Sequence, residues 1–476
     1  MRMTRGNRTG SGRLMPLAVA LLVMLAPTAV AQEAVETPEY VRVSDDGELI
    51  LSPVEAARWA LERSTDVRIR AEGIPEAEGR LEQARAADAL TVKLSGTALR
   101  MGPVSTFELP FGGGGDGGDG DDEGPVEVEV GQDHMYRAAV SATKPLYTGG
   151  RAELGVGLAR EGIAAVRSAT DATRLGVALG AQEAAYAVLR TTQLAGVAAA
   201  RVGALTEHVR NAEAMEEAGM VPHFDVVQAR TELARAQENL ISSQTGVEQA
   251  RAQLRRVLSL PQETPLSVVD APPPEAPEGE MRALIDAAWR NRPEVQASQT
   301  AVRISRMNLR LAQRELRPTV ALTGEYARQS TGGLGGSDES WQIGVVAEKP
   351  IFDGGARDGK VQSARSGVRS SELELQRTKE QVALEVVQQL LSMREATERI
   401  DTAEQGVLEA RERRRMAQLR YREGLAAGIE VIDADTALAA AEASLVNAEY
   451  DLQLAVTRLR KAMGVMGLPE QESETQ

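Results

Sequence analysis

Two proline-free stretches constrain this chain more than any other feature. Residues 151–218 and 356–423 each run for 68 positions without proline. As single helices they would extend about 100 Å, at about 1.5 Å per residue, against an ordinary helix of about 12 residues. Related septets precede them: Lys144-Pro145-Leu146-Tyr147-Thr148-Gly149-Gly150 and Lys349-Pro350-Ile351-Phe352-Asp353-Gly354-Gly355. Gly149 and Gly219 stand 70 positions apart, and so do Gly354 and Gly424. Equal length in two copies implies that the length itself matters: the helix has to reach something.

The repetition extends beyond these stretches. Asp66, Leu81, Val92, Leu94 and Gly96 match Glu294, Leu309, Val320, Leu322 and Gly324 at an offset of 228. Lys144, Gly149, Gly219, Val226, Leu240 and Leu254 match Lys349, Gly354, Gly424, Val431, Leu445 and Leu459 at an offset of 205. The 23-residue difference falls between the two strands of the first hairpin, where Gly112–Gly124 packs eight glycines and five acids into 13 residues. Such a segment buries too little apolar surface to offset its chain entropy, so a solvated loop tip is expected. The reading is a tandem duplication: a first repeat over 32–260, a Pro-rich linker over 261–280, a second repeat over 281–467 and a polar tail at 468–476.

Within each repeat the periodicity changes character. Helical spacing marks 53–63, 74–89, 284–291 and 302–316, with a break at Arg292-Pro293-Glu294-Val295. Alternation predicts strands at about 91–107, 126–147, 319–330 and 341–351. Long helices are predicted over 151–218 and 356–423, and return helices over 223–260 and 430–463. Gly219 and Gly424 suit the position after a helix, where a left-handed residue is wanted. Residues 33–51 are expected to lie extended on the surface.

Residues 1–31 have the pattern of a secretory signal: Arg2, Arg5, Arg8 and Arg13, then an apolar Leu14–Ala26, then Ala29-Val30-Ala31. A retained anchor is the competing reading, but the apolar run is shorter than the ~20 residues a span needs. Loss of those four arginines would take the formal charge from −15 to −19. That balance does not suit a nucleic-acid partner. With no cysteine, disulfides and thiolate chemistry are excluded. His134, His208 and His223 are scattered, and Gly155-Val156-Gly157 lacks the third glycine of a nucleotide fingerprint. No cofactor, metal or catalytic centre is indicated. Gly117–Asp122 resembles one calcium-binding repeat without tandem partners, and Arg411–Arg415 is expected to be a solvated helix face.

Each repeat supplies one two-stranded hairpin, four strands in all. Four strands cannot close a barrel, for which about eight are needed, and an open sheet cannot sit in lipid. If the strands span a bilayer, several chains must share one barrel. Seven of the 14 aromatics (Phe107, Phe111, Tyr136, Tyr147, Tyr326, Trp341, Phe352) lie in the hairpins and their ends, as an interfacial girdle requires. A small soluble sheet domain is the alternative.

The septets at 144–150 and 349–355, together with Arg292-Pro293-Glu294, Tyr421-Arg422-Glu423-Gly424 and the run from Val431 through Ala434, Leu438, Ala441, Leu445 and Leu459 to Gly464, resemble the TolC-like outer membrane efflux protein family. The resemblance covers nearly all of the chain after residue 31. It implies an α+β membrane protein and a homotrimer. Its twelve-stranded β-barrel sits in outer membrane lipid, and a long α-helical barrel continues it across the periplasm. Pro145, Gly149, Gly150, Pro350, Gly354 and Gly355 would mark the junction of the two barrels. The turns at Gly219 and Gly424 would dock a periplasmic adaptor and, through it, an inner-membrane pump. Carboxylates at Glu430 and Asp433 would ring the entrance, and Tyr421 and Asp225 would belong to its closing network. The family's arginine two residues after the second glycine is absent; Ala426 stands there. Cargo passes unchanged in a tripartite efflux or type I secretion system. A soluble periplasmic coiled-coil adaptor is the competing class; it would carry a lipoyl-like β-domain and usually one helical hairpin.

Overall fold

A computed structural model describes residues 42–45, 47–100, 105–109, 126–130, 134–271, 275–331 and 337–466. The leader expected at 1–31, the Gly/Asp run 112–124 and the tail 468–476 lie outside them. The order is β1 (Arg42–Val43), β2 (Leu49–Leu51), α1 (Pro53–Arg63), α2 (Thr65–Ala71), α3 (Gly73–Ala86), β3 (Thr91–Arg100), β4 (Ser105–Leu109), β5 (Val126–Val130), β6 (His134–Tyr147), α4 (Arg151–Glu217) and α5 (His223–Val257). It continues with β7 (Leu266–Val268), α6 (Met281–Asn291), α7 (Pro293–Gln313), β8 (Thr319–Thr331), β9 (Ser337–Glu348), α8 (Ala356–Arg422) and α9 (Gly428–Ala462). The two long helices have 67 residues each and their return helices 35 each.

Small side chains let these rods lie close together. The buried positions of α4 include Ala178, Ala181, Ala184, Ala185, Ala198 and Ala212. Near its start α4 packs on α1–α3 and α7, and further along on α5 and α9; α8 packs on α6, α7 and α9.

Strands β3, β6, β8 and β9 form one antiparallel sheet in that order. Register divides it into two faces. Leu94, Val140, Tyr326 and Trp341 make one cross-strand row, and Lys93, Ser141, Glu325 and Gln342 make the next, on the opposite face. Among the described residues nothing covers the apolar face: Leu94 is 80%, Trp341 75% and Ile343 73% exposed. On the polar face Arg137 pairs with Glu325. β3 and β9 each have a partner on one side only among the described residues.

Several boundaries differ from those read in the sequence. The first hairpin is divided into β3–β6 and a distal β4–β5 ribbon. β9 covers Ser337–Glu348 rather than 341–351, because Ser337–Ser340 pair with Ala327–Ser330, while Pro350 has no N–H to donate. The break expected at Arg292–Val295 narrows to Arg292: α6 ends at Asn291, and Pro293 is already the first residue of α7. The stretch 261–280 is not wholly a linker: β7 pairs in parallel with β2. Leu49 and Leu51, expected at the surface, are buried in that small sheet.

Arg292 fastens the second repeat. It is 4% exposed at the α6–α7 corner. It pairs with Glu294 at 2.9 Å and Glu385 of α8 at 3.0 Å, and donates to the carbonyls of Lys461 and Ala462 at the end of α9, at 3.3 Å each. Lys461 closes the circuit onto Glu385 at 2.9 Å. Next to it Gly464 has φ 74°, and a Cβ there would stand 2.9 Å from the Asn291 carbonyl carbon, so backbone meets backbone. Burial pushes the Glu385 carboxyl up, but hydrogen bonds from Lys461 and Arg292 outweigh it and hold it below its ordinary range.

Arg292→Ala is expected to remove about 3–5 kcal/mol, the scale for breaking a buried ion network, and to lower the thermal midpoint of the detergent-purified protein. In the wild type the Glu385 contribution is present above the ordinary glutamate range and is lost as pH falls through its depressed folded value. Midpoints followed into acid should therefore fall less steeply in Glu385→Gln.

Candidate functional site

The two long hairpins end in turns of the same design. After α4, Gly219 has φ 71°. Its N–H reaches the Glu216 carbonyl at 2.8 Å, and the Met220 N–H reaches Met215 at 2.8 Å. After α8, Gly424 has φ 70°, with Gly424 to Tyr421 at 3.0 Å and Leu425 to Arg420 at 2.8 Å. These paired bonds cap the last helical carbonyls, and the left-handed residue between them favours glycine. Pro222 and Ala427 then stand extended before the return helices.

The candidate entrance residues separate into two sets. Tyr421 is 3% exposed, and Asp225, half-buried, sits on the first turn of α5. Both approach Gly428: a Cβ built there would lie 3.6 Å from Asp225 Oδ2 and 3.6 Å from Tyr421 Cε2. Burial, then the charge of Asp225, pushes the Tyr421 hydroxyl up, and that hydroxyl has no hydrogen-bond partner among the described residues. Glu430 and Asp433, by contrast, are exposed on α9. Glu430 pairs with Arg420 at 3.1 Å, and Arg420 also donates to the Leu425 carbonyl at 3.3 Å. An arginine four residues before the glycine therefore occupies the turn in which Ala426 stands.

Two groups at this end escaped sequence reasoning. His208 of α4 is 5% exposed, its ring 5.2 Å from that of Tyr421. Asp435 of α9 is 4% exposed and pairs with Arg414 at 2.6 Å. Burial pushes its carboxyl up, against Arg414 and Arg201. An acid among Val431, Ile432, Ala434 and Leu438 was the available signal. Arg411–Arg415 is accordingly not purely a solvated face, since Arg414 turns inward. His223 bonds Glu216 across the first turn at 2.7 Å.

At the other end of the rods, Gly149 and Gly150 have φ 67° and 76°, and Gly354 and Gly355 have φ 66° and 89°. Two consecutive left-handed residues turn strand into helix. Pro145 lies in β6 opposite Ala321, beside a register shift; Pro350 lies two residues past β9. A Cβ on Gly149 would come within 2.7 Å of Arg317 Cβ, and Arg314 donates to the Gly150 carbonyl at 2.7 Å. Nothing lies within 4 Å of a Cβ on Gly354 or Gly355. Asp353 caps α8 through the N–H groups of Gly355 (3.0 Å) and Arg357 (2.7 Å); the Arg357 bond first holds its carboxyl below the ordinary range. Thr148 does the same for α4. Among the described residues no group of three or more His, Asp or Glu is placed to hold a metal ion, and no helix is long and apolar enough to cross a membrane.

The sequence profile described as "Outer membrane efflux protein" matches residues 57–259 and 284–465. Among curated proteins, the chain is 26% identical over 292 residues to outer membrane efflux protein BepC of Brucella suis biovar 1 (strain 1330), covering 59% of this chain and 61% of BepC. The aligned part is thus less than two thirds of that relative. Among solved structures, VceC of Vibrio cholerae superposes with a TM-score of 0.69 at 19% identity, over 86% of this chain and 95% of VceC. The open-state MtrE outer membrane channel of Neisseria gonorrhoeae superposes at 0.68 with 17% identity, over 91% and 96%. With the profile covering both halves and the fold shared over most of the chain, the chain belongs to the outer membrane efflux protein family.

Proposed function

We propose that three copies of this duplicated chain close into one twelve-stranded barrel in the outer membrane, four strands from each. A helical barrel continues it through the periplasm, and the whole is a passive duct. The observation that carries this reading is a sheet with one bare apolar face and two edges that lack partners among the described residues. A soluble adaptor would bury that face instead of exposing Leu94 and Trp341. The second junction supports the same reading. Arg314 and Arg317, just beyond α7, cover Gly149 and Gly150. At Gly354 and Gly355 the surroundings are open, and Ile351 and Phe352 are 92% and 88% exposed. A neighbour's α3 end, the counterpart of the α7 end, would fill that space.

The glycine turns form the periplasmic tip. Met220, Phe224 and Leu425, 64%, 70% and 70% exposed, offer apolar contacts to an adaptor that links the duct to an inner-membrane pump, in tripartite efflux or type I secretion. Glu430 and Asp433, one of each per copy, ring the entrance and favour cations. Tyr421 and Asp225 hold the hairpins together above it. The chain does no chemistry on its cargo.

The protein should leave the membrane fraction only with detergent and sediment as a trimer; release by salt as a monomer would refute the duct. Phe352→Asp should lower the trimer fraction in detergent severalfold by sedimentation, because it charges the surface assigned to the neighbour. Glu430→Ala combined with Asp433→Ala should relieve divalent-cation block severalfold in planar bilayers. Unchanged block would remove both residues from the entrance. Deletion of 112–124 should leave the trimer intact if that segment is solvated.

A further inference from the structure

The two hairpins of the tip meet along one seam, where α4 lies against α9, and a histidine fills it. His208 projects from α4 and is 5% exposed. Its ring centroid is 5.2 Å from that of Tyr421 on α8, at a tilt of 51°. A Cβ on Gly428 of α9 would lie 3.6 Å from His208 Nε2 and 3.6 Å from Asp225 Oδ2 of α5. All four long helices thus converge on one imidazole. A Cβ on Gly428 would be in ordinary contact with all three neighbours, so a side chain longer than a methyl would crowd them.

The surroundings have little to offer a charge. From α5 the facing group is the half-buried Asp225 carboxylate. From α8 they are Tyr421, whose hydroxyl has no hydrogen-bond partner, and Arg422. Glu207 lines the same groove from α4, with Asn211 and Gln418 as neutral neighbours, and α9 presents Gly428 and Val431, which do not titrate. One carboxylate faces a buried ring with a guanidinium nearby. Burial pushes the imidazole below its ordinary range, and Asp225 only partly opposes it. The packed seam therefore favours neutral His208. Its contribution is present above the ordinary histidine value of about 6.5 and is lost as pH falls below it.

We infer that His208 is an acid-sensitive pin for the tip: neutral, it packs the four helices together, and protonated, it is driven toward water and frees α8–α9 to swing from α4–α5. A buried imidazolium without full pairing is costly, and histidine is the side chain whose ordinary titration falls in this range. At the 205 offset the second repeat has Arg413, so each chain carries one pin. The inference rests on the tip being the entrance of the duct, and the test separates the two.

Full-length protein would be compared at about pH 7.5 and about pH 5, spanning the histidine range, by planar-bilayer conductance and by hydrogen exchange in detergent at 205–212 and 428–435. The wild type should conduct severalfold better in acid and exchange faster along the seam than the change in intrinsic rate accounts for. His208→Phe, which keeps a ring against Tyr421, should be flat in both; His208→Gln serves if the larger ring does not pack. Asp225→Asn should move the transition to lower pH, because the carboxylate favouring the imidazolium is gone. A wild-type seam indifferent to pH, or a His208 variant that responds like the wild type, overturns the pin. Exchange that responds while conductance does not keeps the pin and refutes the tip as the duct's entrance.

Discussion

A sheet edge in hydrocarbon has nowhere to send its amides. Each unpaired N–H or C=O there costs several kcal/mol, and β3 and β9 each present a full row of them. The same sheet has an apolar face, with Leu94, Val140, Tyr326 and Trp341 in one row, that water does not favour. Lipid satisfies the face but not the edges, and water satisfies the edges but not the face. In the proposed assembly, further copies of the sheet, set edge to edge with the apolar side outward, satisfy both. The rods below the sheet inherit this requirement. If neighbouring hairpins are to end at one level, their helices must match in length, as the 67- and 35-residue pairs do.

Between sheet and rods the chain must change direction in few residues. Left-handed glycine pairs do this at both junctions, and Thr148 or Asp353 caps the helix that follows. The pairs look alike in sequence but differ in surroundings. Gly149 and Gly150 are hemmed in by the α7 end, which the β6–β8 pairing of the two repeats brings alongside. Gly354 and Gly355 are open because the equivalent helix end belongs, in the proposed assembly, to another chain. In that assembly one sequence signature serves one internal joint and one joint between subunits.

What was legible in the sequence was what depends on neighbours along the chain. Proline-free length, glycine stops and alternation are local signals, and they locate α4, α8, both turns and the two faces of the sheet to within a few residues. The β2–β7 pairing was hidden because it joins Leu49–Leu51 to Leu266–Val268, far apart and set among prolines. The start of β9 was hidden because Ser337–Ser340 has a turn-like composition and pairs only because β8 is there. His208 and Asp435 were hidden for a different reason. α4 changes partners along its length, from α1–α3 and α7 to α5 and α9. No single apolar stripe runs down it, so a buried polar residue does not interrupt a visible pattern.

The tip is graded in strength along its axis. At the Asp435 level the carboxylate is desolvated and pairs with Arg414 at 2.6 Å, while Arg201 reaches Thr436 at 3.1 Å on the exposed side. Separating a buried pair of this kind costs about 3–5 kcal/mol. About one and a half turns nearer the end, Glu430 and Arg420 meet in the open, where an ion pair contributes about 0–1 kcal/mol. Beside that pair, at the same end of the rods, lies the His208–Tyr421 contact next to Gly428, buried but held by packing rather than by hydrogen bonds. Force applied at the turns would therefore act on the exposed pair and the ring contact together before it reached Asp435. That ordering confines movement to the last turns of the rods and leaves the rest of the helices free to remain a sealed wall.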